Sequence, residues 1–100
     1  MKKDSGKVPT YDLLFNPVLK ALKSLGGSGT IEEINQKVIE NEKFPDNIAA
    51  IPHGDDTSPY AEVKYRLAWA KTYLKAYGLI ENSDRGVWAL TTKGSKINEV

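Results

Sequence analysis

Lys64, Arg66, Lys71 and Lys75 fall in one short stretch that also carries Tyr65, Trp69 and Tyr73. Their chemistry is contact with anions. An ammonium meets a phosphate as a point charge and a guanidinium meets it as a planar fork. Lys64, Tyr65, Ala68, Thr72 and Lys75 recur at helical spacing and so share a face with Ala61. Lysine on such a face can meet phosphate, and small Ala or Thr side chains let it approach base edges and a methyl group. A merely solvated helix face has a similar composition. Arg66 falls nearer the apolar side, where an ion pair or a stacking contact competes with DNA. Lys71 borders the face and could reach a phosphate along its stem. Further on, Arg85 stands beside Asp84 at the tip of a predicted hairpin. An arginine there can enter a minor groove or pair with phosphate. His53, Asp55 and Asp56 form the other polar cluster. One His with two adjacent Asp in a Gly-containing loop falls short of a metal site. Such Asp side chains more often bond backbone N–H groups of a turn. His53 can order the start of the next helix or touch a phosphate. No nucleophile is paired with a base, so no catalytic residue, metal or cofactor is assigned. Trp69 and Trp88 could stack on bases, but packing between that helix and the hairpin is the reading favoured for both.

These residues need a scaffold. Leu14, Val18, Leu22 and Leu25 mark a first helix over about 11–25, with Pro17 requiring a start at Asn16-Pro17 or a kink. Gly26-Gly27 stops it. Thr30-x-x-Glu33 is a capping box for a second helix over 31–42, whose polar face is mixed to acidic and unsuited to phosphate. Residues 43–57 hold at most one helical turn after Pro45, with Phe44, Ile48 and Ile51 as anchors. Ser58 is expected to cap the third helix, with Pro59 in its first position and Val63, Leu67, Ala70, Leu74 and Tyr77 inward. That helix would be roughly 27–29 Å long. Leu79-Ile80 and Val87–Leu90 make a hairpin around 82–86, and a short helix weakened by Gly94 follows over 93–98.

One hundred residues make one domain, assigned to 10–98 behind a disordered arm over 1–9 that carries Lys2, Lys3 and Lys7. The chain has no cysteine, which excludes a disulfide framework and agrees with a cytoplasmic protein. It has neither a membrane-spanning run nor a signal peptide pattern. The net charge of +1 is unevenly spread. Residues 1–59 carry seven lysines against nine acids, a net of −2; residues 60–100 carry seven Lys or Arg against four acids, a net of +3. The basic excess sits on the third helix and hairpin and is small, so DNA binding by one copy is expected to be weak and salt-sensitive.

The fold class expected is mainly α with a small antiparallel hairpin, a winged helix-turn-helix. The chain also resembles the N-terminal domain of Mrr-type restriction endonucleases. The matching blocks are Tyr11-Asp12-Leu13-Leu14, Pro17 to Leu22, Gly26-Gly27, Ile31-Glu32-Glu33-Ile34, Pro52-His53-Gly54, Tyr65 to Leu74, Gly78 to Ser83 and Arg85 to Thr91. They span about residues 10–95. The resemblance implies a domain that reads double-stranded DNA ahead of a separate nuclease domain acting on modified DNA. That second domain would need PD-(D/E)xK-type acidic and lysine residues, which the predicted strands do not supply, so the chain reads as the recognition half and not as an enzyme. The expected DNA contacts are Lys64, Tyr65, Ala68, Lys71, Thr72, Lys75 and Arg85, with Arg66 and His53 beside them. No small-molecule substrate is implied. The competing class is a winged helix that dimerises or binds another protein, which the small net charge permits.

Overall fold

The computed structural model describes residues 10–44 and 46–97; the arm assigned to 1–9 and Asn98 of the predicted last helix lie outside them. A 3-10 turn, Tyr11–Leu14, leads into α1 (Phe15–Ser24). Thr10 does not cap it through its side chain: the hydroxyl goes to the Asp12 carboxylate, and the Thr10 carbonyl accepts the Leu13 N–H. The split at Phe15 resolves the proline. Pro17 falls in the first turn of α1, where its N–H would have no partner in any case.

A short strand, β1 (Ser28–Thr30), follows. The spacing did not predict it, because Ser-Gly-Thr carries no apolar alternation. Next comes α2 (Ile31–Glu42), where both capping-box bonds form: Glu33 N–H to Thr30 Oγ1 at 3.1 Å and Thr30 N–H to Glu33 Oε1 at 2.9 Å. Thr30→Ala leaves the Glu33 amide without its cap and is expected to lower stability by about 1 kcal/mol, measured by urea unfolding.

The connection from α2 to the next long helix is not a tight turn. It covers residues 43–60 and holds α3 (Asp46–Ala49), with Phe44 and Ile48 buried and Ile51 packed against the core. The long helix, α4 (Ala61–Ala76), starts later than Ser58-Pro59 suggested. Asp56 Oδ1 takes both the Ser58 N–H, at 3.0 Å, and the Ser58 hydroxyl, at 2.6 Å, so Ser58 is committed to the loop and cannot cap the helix. Tyr60 becomes the cap residue with φ +61°, and its N–H donates to Ala49 O at 2.9 Å. At 16 residues α4 is about 24 Å long, still enough to cross a groove.

β2 (Ile80–Asp84) and β3 (Val87–Leu90) pair antiparallel with a register shift between Asn82 and Asp84, so the strands run further and the turn is shorter than expected. Only Arg85 and Gly86 lie beyond the last pair, Asp84–Val87, and Gly86 takes φ +71°. β1 pairs with the other edge of β3, giving the order β1-β3-β2. Ile31 N–H donates to Gly86 O at 3.1 Å, tying the start of α2 to the hairpin tip. α5 (Thr92–Lys96) closes the described chain, capped by the Thr91 hydroxyl on the Gly94 N–H.

The core joins Leu14, Val18 and Leu22 with Ile34 and Val38, Ile48, the α4 stripe Val63, Leu67, Ala70 and Leu74, and Leu79 and Ile80. Tyr77 does not complete that stripe; it is 51% exposed. Three main helices and a three-stranded antiparallel sheet whose β2–β3 hairpin projects as a wing form a winged-helix arrangement. Among the described residues no helix is long and apolar enough to cross a membrane.

Candidate nucleic-acid interface

Burial of Val63, Leu67, Ala70 and Leu74 fixes the rotation of α4. It leaves Lys64, Ala68, Thr72 and Lys75 exposed along one flank, with Tyr65 beside them at 43% exposure. The Thr72 hydroxyl donates to Ala68 O at 3.0 Å, which leaves its γ-methyl and lone pairs for contacts. Lys75 Nζ reaches Asn82 Oδ1 in β2 at 3.3 Å, so the end of the flank is joined to the wing. Arg85 is exposed at the wing tip, where its backbone N–H is held by Asp84 Oδ1 at 2.7 Å. Lys64 also borders a groove along α2 lined by Glu32, Glu33, Gln36 and Glu40. That acidic wall offsets part of its charge toward a polyanion.

Three expectations change. Ala61 is buried at the start of α4, where the 43–60 connection is bonded to the helix through Tyr60 N–H to Ala49 O and Glu62 N–H to Ile51 O. Lys71 is 2% exposed, and its Nζ donates to Asn35 Oδ1 on α2 at 2.9 Å. Burial alone pulls that ammonium from 10.5 down to about 8. Its Cβ sits one step too far around the helix for the stem to reach solvent, so it leaves the set of phosphate contacts. Trp69 does not pack between α4 and the hairpin but is 44% exposed; Trp88 does pack against the core, paired across the sheet with Gly29 and Asn82.

Arg66 and His53 converge on a different flank, around Glu62. Glu62 Oε2 accepts from Arg66 Nε at 2.7 Å, and Glu62 Oε1 meets His53 Nδ1 at 2.8 Å. Burial works to raise the Glu62 carboxyl, but the bonds from Arg66 and His53 outweigh it and hold the group below the usual carboxylate range. The His53 ring stacks on Tyr65 with centroids 3.8 Å apart. His53 therefore orders the first turn of α4, one of the two roles its position suggested. Asp56 is held below the ordinary carboxylate value by the Ser58 hydroxyl and amide, the Asp-turn role expected of it. Among the described residues no group of three or more His, Asp or Glu is placed to hold a metal ion.

Glu62, Tyr73, Tyr11 and Asn82 were missed as parts of this surface. The sequence did carry a signal for one of them, Tyr73, which belongs to a series with an aromatic residue every fourth position through Tyr65, Trp69, Tyr73 and Tyr77.

The family model of the Mrr N-terminal domain matches residues 11–99. No curated protein and no solved structure matches the chain. The match covers the 3-10 turn, every helix and strand described above, and both the lysine flank and the wing, and on that extent the chain belongs to the Mrr N-terminal domain family.

Proposed function

We propose that this domain binds double-stranded DNA as the target-recognition part of an Mrr-like, modification-dependent restriction endonuclease that acts on methylated DNA. In this reading α4 lies in the major groove and the β2–β3 hairpin rests on the adjacent backbone. Lys64, Lys75 and Arg85 meet phosphates, while Tyr65, Ala68 and Thr72 stand nearest the bases. The nuclease chemistry belongs to a separate domain. The observation that supports this most is the continuity of the surface: the exposed flank of α4 runs into the wing through the Lys75–Asn82 bond and ends near Arg85. The family's restriction-system context points the same way.

Three phosphate contacts give a log Kd against log salt slope of magnitude about 3, and the acidic wall beside Lys64 keeps affinity modest. Fluorescence anisotropy with one short duplex, methylated and unmethylated, at two salt concentrations tests the reading. Salt-sensitive binding that favours the methylated duplex is the expected result. Lys64→Glu with Lys75→Glu is expected to abolish it. Unchanged affinity in that double variant would mean that α4 does not carry the contact. Salt-insensitive self-association that survives the double variant would instead favour an interaction module.

A further inference from the structure

The flank of α4 next to the lysines carries a feature of different chemistry. Tyr65, Trp69 and Tyr73, at i, i+4 and i+8, line a groove of about 390 Å³ together with Tyr11, Glu62 and Arg66. Two groups of rings bound it. On one side His53 stacks on Tyr65; on the other Tyr11 stacks on Tyr73 at 4.7 Å, with Trp69 tilted against Tyr73 at 6.0 Å. Tyr11, Tyr65 and Trp69 remain more than two-fifths exposed. Apolar rings left this open in a cluster mark a binding surface more often than idle packing.

We propose that this groove docks a single unstacked nucleobase next to the duplex-binding flank. The proposal rests on the DNA-binding reading above. The groove's chemistry selects among ligands. Aromatic walls with a carboxylate suit an alkylammonium ion, but Glu62 is already engaged by His53 and Arg66, and a guanidinium lines the same groove. A cation entering there meets a cation. A neutral planar ring does not, and aromatic faces stack bases of any identity. Position supplies the second argument. Lys64 precedes Tyr65 and Ala68 precedes Trp69, so about 100° of helix rotation separates the lysine flank from the groove. A nucleotide held by its phosphate on the first can place its base in the second.

Two duplexes of equal length, one fully paired and one with a single central mismatch, test this with the full chain. The mismatch lowers the cost of extruding a base without changing the phosphate charge. The mismatched duplex is expected to bind about tenfold tighter and to quench tryptophan emission. Trp69→Ala is expected to bring the affinity ratio to about one. Trp69→Phe is expected to keep part of the preference and lose the quench, which assigns the signal to Trp69 and not Trp88. Salt-sensitive binding with equal affinities overturns the base site and leaves the DNA reading standing. A preference that persists in Trp69→Ala overturns it too. No salt-sensitive binding to either duplex removes both. Self-association that Trp69→Ala abolishes while the two duplexes bind alike assigns the rings to a protein partner instead.

Discussion

Gly94→Ala is expected to cost about 3 kcal/mol in urea unfolding, the opposite of what helix propensity predicts. A glycine inside a helix loses about 1 kcal/mol relative to alanine, so on propensity alone the substitution stabilises. The packing reverses the sign. Gly94 is buried in α5, and a methyl group placed on its Cα would stand 1.9 Å from the Leu79 carbonyl oxygen and 2.9 Å from its carbon. The obstacle is backbone, fixed by its place between α4 and β2. Leu79 O accepts the Thr91 N–H at 3.1 Å, and Thr91 Oγ1 donates to Gly78 O at 2.6 Å, so the start of α5 is pinned on that same turn. Relief requires α5 to lift off, exposing Leu79 and breaking those bonds, and that sets the scale at the upper end of overpacking costs. Ser95→Ala, one residue along and exposed, is the control; its expected change is within about 0.5 kcal/mol. A Gly94→Ala chain as stable as the parent would mean that α5 does not hold this docked position.

The same glycine shows where sequence reading stops. Periodicity was enough to place the long helices: the Leu14–Val18–Leu22 stripe and the Val63–Leu74 stripe each correspond to an observed element, as does the Thr30–Glu33 box. Local signals encode local geometry. β1 has no such signal, because its place in the sheet is set by partners 57 to 61 residues away, from Thr30–Val87 to Ser28–Ala89. The start of α4 slipped from Pro59 to Ala61 because Asp56 competes for Ser58, a contest invisible to a cap rule that considers one residue at a time. At the candidate interface, the exposure of Lys64, Tyr65, Ala68, Thr72, Lys75 and Arg85 was legible from helical spacing and hairpin position. Lys71 was not. The boundary between the exposed and buried flanks falls within one residue's rotation, and long-stemmed lysines usually escape to solvent. Here α2 closes over the stem.

Lys71→Met is expected to stabilise the domain at pH 7 and to remove a pH dependence that the parent shows between about 8 and 10.5. The Lys71 ammonium lies between α2 and α4 and donates to Asn35 Oδ1, a neutral amide that returns little of the lost hydration. Its folded value of about 8 lies below the 10.5 of a free lysine. The folded state therefore holds fewer protons than the unfolded state between those two values. Stability rises with pH across that window, since the unfolded chain must give up the proton as well. The penalty is present in full below pH 8, amounts to about 3 kcal/mol, and is relieved as pH approaches 10.5. Methionine fills a similar volume without charge, and replacing a buried ion by an apolar side chain is commonly neutral or stabilising by about 1–4 kcal/mol. Part of the gain is lost because Asn35, at 8% exposure, gives up its donor. The net expectation at pH 7 is about 1–2 kcal/mol. Urea unfolding of both chains at pH 7, 8, 9 and 10 measures it, with the difference between chains as the readout. That difference cancels the other titrations, including the Tyr11 phenol, which its hydrogen bond with Tyr73 raises above the ordinary tyrosine value. The two curves should converge and cross at about pH 9, because each pH unit above 8 relieves about 1.4 kcal/mol of the parent's penalty. Parallel curves would show that the ammonium is not desolvated, and a variant weaker at every pH would show that the Asn35–Lys71 bond outweighs the burial cost and is what fixes α4 against α2.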